Sequence, residues 1–271
     1  MNMSGPLPPT AYGPQLGPFQ EDIRSIRFQR RLNPDSSGYN ASQVPHGKVF
    51  QVSIGGRTFA LKVFNFFSLN EIRPFLPFTG HLLKDELVRY QRDPFYAECR
   101  AFGRLIERGR DDELAVRCHG YAFLPPEVER QIERQFGIEG WNRKEEDKGS
   151  HLRAIVKSHI RWKTLQHRRK LSAMRSILEV LNEELSIYNM DIREENYLGG
   201  RLFDFSIAIT VPHISFSSAL RSERQILENM SDDLACFDDM VERIKKQKEK
   251  AEKETPNWKK RTRLGTSLSR S

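Results

Sequence analysis

Two runs of β-branched and aromatic residues, Gly47–Ile54 and Arg57–Phe64, flank Gly55-Gly56. The pair predicts a β-hairpin with a two-residue turn. Next comes RDPFYAECRAFGRLIERG, with Asp93 as N-cap and Pro94 at the first helical position. Its apolar stripe runs through Phe95, Phe102, Leu105 and Ile106. Glu113–Leu124 and His151–Ile160 predict strands, the first broken at His119-Gly120. Residues 125–150 are polar and charged and have the look of an insertion. Leu171–Leu185 is an amphipathic helix, with Met174, Leu178, Leu181 and Leu185 on one side. A short hairpin around Gly199-Gly200 follows. From Ser217 the pattern is helical and increasingly charged, interrupted at Pro256. This order predicts an α+β fold, mainly antiparallel in its first half.

The Pro- and Gly-rich start predicts a disordered leader over residues 1–34, with the folded domain over 35–240. No apolar run is long enough to span a bilayer, so no membrane association is expected. Three widely spaced cysteines suggest a reducing compartment rather than a disulfide scaffold or zinc site. The formal charge is +8, and Val241–Ser271 contributes eleven Lys/Arg against four Glu. The body is therefore nearly neutral, while residues 241–271 form a basic tail. Such a tail, with KKRTR at Lys259–Arg263, is a candidate contact for nucleic acid or an import receptor. The plainer reading is a solvated helix end.

Charged residues in apolar settings carry the chemistry. Lys62 sits in FALKVF on a strand, and Glu98 falls on the apolar face of the helix after Asp93. Each needs an opposite charge there, and they are natural partners. The alternative is that Lys62 snorkels to water and Glu98 lies at the stripe's edge. Further on, Asp191, Asn196 and Asp204 surround the Gly199-Gly200 turn, which returns Asp204 to roughly the level of Asn196. Amide and carboxylate oxygens there suit Mg²⁺ carrying phosphates. Asp191 is a candidate to orient an attacking hydroxyl, and Arg193 to face a transferring phosphate. Each alone is equally a turn or capping residue.

These residues resemble the motifs of protein kinases over about residues 35–213. Lys62 resembles the strand lysine and Glu98 the helix glutamate. DIREEN resembles the catalytic loop, with Asp191 as its aspartate and Asn196 as a metal ligand. DFS resembles D-F-G, with Asp204 on the metal. Gly47 and Val49 resemble the end of the glycine-rich loop. The resemblance implies a two-lobed fold with a truncated second lobe, the lobes meeting near residue 160, and binding of ATP and Mg²⁺. ECRAFGRL, VRCHGY, RAIVK, IREENYLGGRLFDFS and TVPH are similar to a narrower fungal kinase-like family. That family is named for a subunit of the kinetochore Sim-four complex, the Fta-two type. It implies protein partners in a nuclear, centromere-associated assembly; without it the cytoplasm is the other expectation.

The pattern also departs from kinases. Ser42 and Val44 stand where the first two loop glycines belong, Asn189-Met190 replaces His-Arg, and Ser206 replaces the last glycine of D-F-G. Phe66–Arg92 separates Lys62 from Glu98 by more than is usual. Only 67 residues follow Asp204, with no A-P-E element and no room for a full helical platform. The leading expectation is a pseudokinase or atypical kinase acting as a subunit of a nuclear assembly. An active ATP- and Mg-dependent phosphotransferase is the first alternative, and a basic-tailed nucleic-acid-associated scaffold the second.

Overall fold

The computed structural model describes residues 13–33, 46–76, 83–161, 171–218 and 220–254. The fold is mixed α/β, organised by a five-stranded antiparallel sheet of order β1-β2-β3-β5-β4. Its strands are β1 (Arg27–Arg31), β2 (Gly47–Ile54), β3 (Arg57–Phe64), β4 (Cys118–Leu124) and β5 (Leu152–Ser158). The expected β2–β3 hairpin forms, and Gly55 and Gly56 both take the positive φ that a tight turn requires.

Helix α1 is Leu69–Ile72, α2 is Asp85–Arg92, α3 is Pro94–Glu107, α4 is Asp111–Leu114 and α5 is Pro126–Phe136. Helix α6 (Leu171–Glu179) widens into a π-helical turn over Val180–Glu184. Two small ladders follow, β6 (Ile187–Tyr188) with β9 (Ile209–Thr210), and β7 (Tyr197–Leu198) with β8 (Arg201–Leu202). Helix α7 spans Glu223–Glu254.

Strand alternation assigns the two faces of the sheet. Phe59, Leu61 and Val63 of β3 join Ala154 and Val156 of β5 in one core, together with Phe50 and Val52. The opposite parity sends Phe64 and Ile155 to a second core with Phe95, Phe102 and Leu105 of α3. Lys62 and Lys157 share that second parity, so both point to the α3 side. Helix α3 begins as the sequence predicts, with Asp93 accepting the Phe95 N–H at 3.0 Å. Its carboxylate also pairs with Arg153 of β5, which fixes the start of α3 against the sheet.

Several expectations are corrected. Residues 13–33 are not a disordered leader. Leu16 and Phe19 are buried, β1 extends the sheet, and the Phe19 ring meets Phe59 edge-on at 5.6 Å. The Phe19 N–H donates to the Tyr121 carbonyl at 2.8 Å, and the Tyr121 N–H to Gly17 at 3.2 Å. A Cβ on Gly120 would lie 2.6 Å from the Phe19 nitrogen, so this approach needs glycine. The strand carrying His119-Gly120 is not broken there; a register shift between Cys118 and Gly120 absorbs the irregularity, and α4 replaces its first residues. The segment 125–150 is no loose insertion, because Val128, Ile132 and Trp141 enter the first core. The tail boundary at 240/241 falls inside α7, whose Val241 and Ile244 still pack on the second core. Ser42, Val44, Pro256 and KKRTR lie outside the described residues.

Phe19→Ala should destabilise the protein by about 3–5 kcal/mol in urea unfolding, the cost of emptying a large aromatic site. A change near zero would show that this segment is not part of the core.

Candidate functional site

Glu98 is fully buried on α3, three residues after Phe95 and four before Phe102. A lone carboxylate there would be untenable, and the sheet supplies two ammonium groups. Lys62 Nζ donates to Glu98 Oε2 at 2.8 Å. Lys157 Nζ pairs with Oε1. The β3–β5 register explains how both reach it: Lys62 lies opposite Ile155, and Lys157 opposite Ala60, so the lysines are diagonal neighbours on one face. The expected Lys62–Glu98 pair is therefore present. Lys157 escaped the sequence reading, although the alternation Arg153, Ile155, Lys157 was the signal that could have found it.

Both lysines also reach the segment after β8. Lys62 Nζ donates to Asp204 Oδ1 at 2.7 Å, and Lys157 Nζ to the Phe203 carbonyl at 2.7 Å. The Ser206 N–H donates to the same Asp204 oxygen at 2.9 Å. Phe205 is buried, with its ring edge-on to Phe102 of α3 at 5.2 Å, so the residue after Asp204 is docked on the helix that carries Glu98. Burial pulls the Lys62 ammonium down, but the Asp204 and Glu98 carboxylates outweigh it and hold it above its ordinary value. Burial likewise pushes the Asp204 carboxyl up, and the charges of Lys62 and Lys157 override this to hold it well below the carboxylate range.

Gly47 and Val49 sit in β2 beside this cluster. Val49 lies directly opposite Lys62 in the ladder. Gly47 has a packing reason to be glycine, since a Cβ would come within 2.2 Å of the Val63 carbonyl oxygen. Just before it, His46 Nδ1 lies 2.9 Å from Ser206 Oγ, joining the start of β2 to the Asp204 turn.

Asp191, Arg193 and Asn196 form a second group. Arg193 reaches Asp191 Oδ2 at 3.0 Å. Asn196 Nδ2 donates to the Asp191 carbonyl and to Oδ2, both at 2.8 Å. Asn196 thus turns its amide nitrogen to Asp191 rather than toward Asp204. Asn189 links the groups, donating from Nδ2 to the Asp204 carbonyl at 2.7 Å. A residue that sequence reasoning missed sets this loop. Buried Asp233 on α7 accepts the N–H groups of Asn189 and Met190 at 2.6 and 2.8 Å, holding Met190 at φ +63°. Burial pushes the Asp233 carboxyl up to about 6, against those two donors. Nothing in the charged pattern of α7 distinguished Asp233 from its solvated neighbours.

Among the described residues no group of three His, Cys, Asp or Glu could hold a metal by itself. Two oxygens remain available, however. Asp204 Oδ2 and Asn196 Oδ1 receive no hydrogen bond from any described residue. Two hard donors suit a magnesium ion that brings its other ligands as water and phosphate.

The family model described as kinetochore Sim4 complex subunit FTA2 matches residues 4–209, and the chain belongs to that family. No curated protein matches the chain. Among the described residues no helix is long and apolar enough to cross a membrane.

Glu98→Gln should cost about 3–5 kcal/mol in urea unfolding, because it leaves two buried ammonium groups facing an uncharged amide. A loss below about 1 kcal/mol, the range of exposed pairs, would contradict the buried network. The depressed Asp204 carboxyl contributes stability that is complete above its unfolded value of about 4 and is lost as the pH falls below that. Thermal melts from pH 6 down to pH 2 should therefore fall more steeply for the parent than for Asp204→Asn; parallel curves would remove the contribution.

Proposed function

We propose that this member of the family is a kinase-fold pseudokinase serving as a subunit of a kinetochore complex in the nucleus. The family description supplies the complex and the location. One observation carries the fold: Lys62 Nζ is held between Glu98 and Asp204 at 2.8 and 2.7 Å. A strand lysine, a helix glutamate and the aspartate of a D-F-type turn meet at one point, as a kinase cleft requires. The five-stranded sheet with α3 would form the smaller lobe, ending near residue 160. The elements from α6 onward would form the second lobe.

The pseudokinase reading rests on how the catalytic positions are engaged. The carboxylate of Asp191, the candidate base, already carries the Arg193 guanidinium and the Asn196 amide. A base occupied in this way is poorly placed to accept a hydroxyl proton. The eroded glycine loop agrees with a domain that contributes surface rather than turnover.

The available Asp204 and Asn196 oxygens favour a second reading, a cleft that still binds Mg-ATP. In it Asp204 and Asn196 would hold the ion and Lys62 would meet phosphate oxygens. The ion would neutralise phosphate charge, and Gly47 and Val49 would border the nucleotide. The same set would serve a phosphotransferase if Asp191 were released from Arg193.

Incubated with Mg²⁺ and ATP labelled on its γ-phosphate, the purified chain should transfer no label to itself or to co-purified partners. It should still assemble with those partners when Lys62 is changed to Met. Transfer abolished by Asp191→Asn would overturn the pseudokinase reading. A Mg-ATP-dependent rise in melting temperature that disappears in Asp204→Ala would establish the nucleotide site without turnover.

A further inference from the structure

A cavity of about 720 Å³ opens beside the charged cluster, but neither Lys62 nor Asp204 lines it. Its walls come from the segment after β3, the junction of α2 and α3, the stretch from Ser206 to Ser215, and the approach to and first turns of α7. Two arginines, Arg92 and Arg221, face into it. Neither guanidinium makes a hydrogen bond or ion pair with any described residue, and Arg92 Nε is buried without an acceptor. Burial, and then the charge of Arg221, pulls Arg92 below its ordinary value, so the two cations are close enough to oppose each other. Among the described residues the carboxylate in the wall is that of Glu71, which is engaged by Lys144 at 2.9 Å.

A third group points to the same kind of ligand. Ser215 is 3% exposed, lines the cavity, and its Oγ has no hydrogen-bond partner among the described residues. Its backbone N–H is already used, donating to His213 Nδ1 at 3.0 Å. Like charges and an unused hydroxyl lining one cavity are costly unless an anion relieves them together. The lining also includes the apolar side chains of Phe66, Phe67, Ile72, Leu76 and Ile207.

We propose that this cavity binds a phosphate monoester carried on an apolar body, with Arg92, Arg221 and Ser215 on the phosphate and Phe66, Phe67 and Ile207 against the body. A monoester dianion matches two guanidinium groups in charge, and its three terminal oxygens accept from both forks and from the hydroxyl. A carboxylate offers one charge and two oxygens and leaves part of the set unused. The site is separate from the Lys62 cleft and stands whether or not that cleft binds nucleotide.

Phenyl phosphate is the probe, with phenyl sulfate and inorganic phosphate as comparisons at matched ionic strength. Binding to the full chain is followed by ³¹P line broadening for the two phosphates and by thermal shift for all three. Phenyl phosphate should bind more tightly than either comparison. Arg92→Gln and Arg221→Gln should each weaken it roughly tenfold or more, the loss of a charge-assisted bond. Ser215→Ala should weaken it less, and Lys246→Gln, at an exposed cation on α7 outside the cavity, should leave it unchanged. Arg221 is partly exposed before α7, so an unaltered ligand-free melt of Arg221→Gln shows that the fold is intact. No binding at millimolar phenyl phosphate, full binding to the Arg92→Gln/Arg221→Gln double variant, or equal loss of binding in Lys246→Gln would each overturn the assignment. Equal binding of inorganic phosphate would overturn the role of the apolar lining.

Discussion

A single buried carboxylate, Glu98, sets the terms for the centre of this molecule. It is fully enclosed, and both its oxygens are claimed by lysines from neighbouring strands. Through those lysines the helix, the sheet and the Phe203–Ser206 segment become one polar network inside an otherwise apolar interface. Such a network adds less net stability than its short contacts suggest, because three ions are withdrawn from water to make it. It is demanding about position, however. A shift of α3 by one turn, or of β5 by one residue, would strand a charge in the core.

The rest of the interface reinforces that register. Asp93 caps α3 while gripping Arg153, and Phe205 packs on Phe102, so both sides of Glu98 are held by contacts unrelated to its own charge. The groups around Asp191 are fixed from a different direction. Asp233 takes two backbone N–H groups of the Asn189–Met190 loop, and Asn189 returns a bond to the Asp204 carbonyl. The two halves of the candidate site are therefore joined through backbone rather than through a shared side chain.

Features written in local signals were legible in the sequence. The Gly55-Gly56 and Gly199-Gly200 turns, the Asp93-Pro94 helix start and the Lys62–Glu98 pair all follow from spacing and burial logic within single elements. What escaped depended on contacts between distant segments. The leader's Pro and Gly content reads as disorder, yet Gly120 is what lets its backbone lie against Tyr121. Lys157 looks like any strand residue in the sequence, because its value comes from the neighbour that β3 provides. Asp233 is one acid among many on α7, made different solely by the loop beneath it. The hairpin sets Asn196 beside the approach to Asp204, its carbonyl accepting the Phe203 N–H at 3.2 Å, while its amide nitrogen bonds to Asp191, a contact that spacing does not show.

Helix α7 has mechanical meaning as well. Phe237 and Met240 seat it on the core, and Asp233 lies one turn before Phe237 on the same side. Beyond Ile244 the helix runs ten residues further, roughly 15 Å at the usual rise, with mostly exposed side chains where they are described. That geometry is a lever. The protruding arm is the handle, the seated aromatic the fulcrum, and the load is the strand-connecting backbone on which Asp191 rides. Whatever grasps the arm is joined through α7 and Asp233 to the Asn189–Met190 loop.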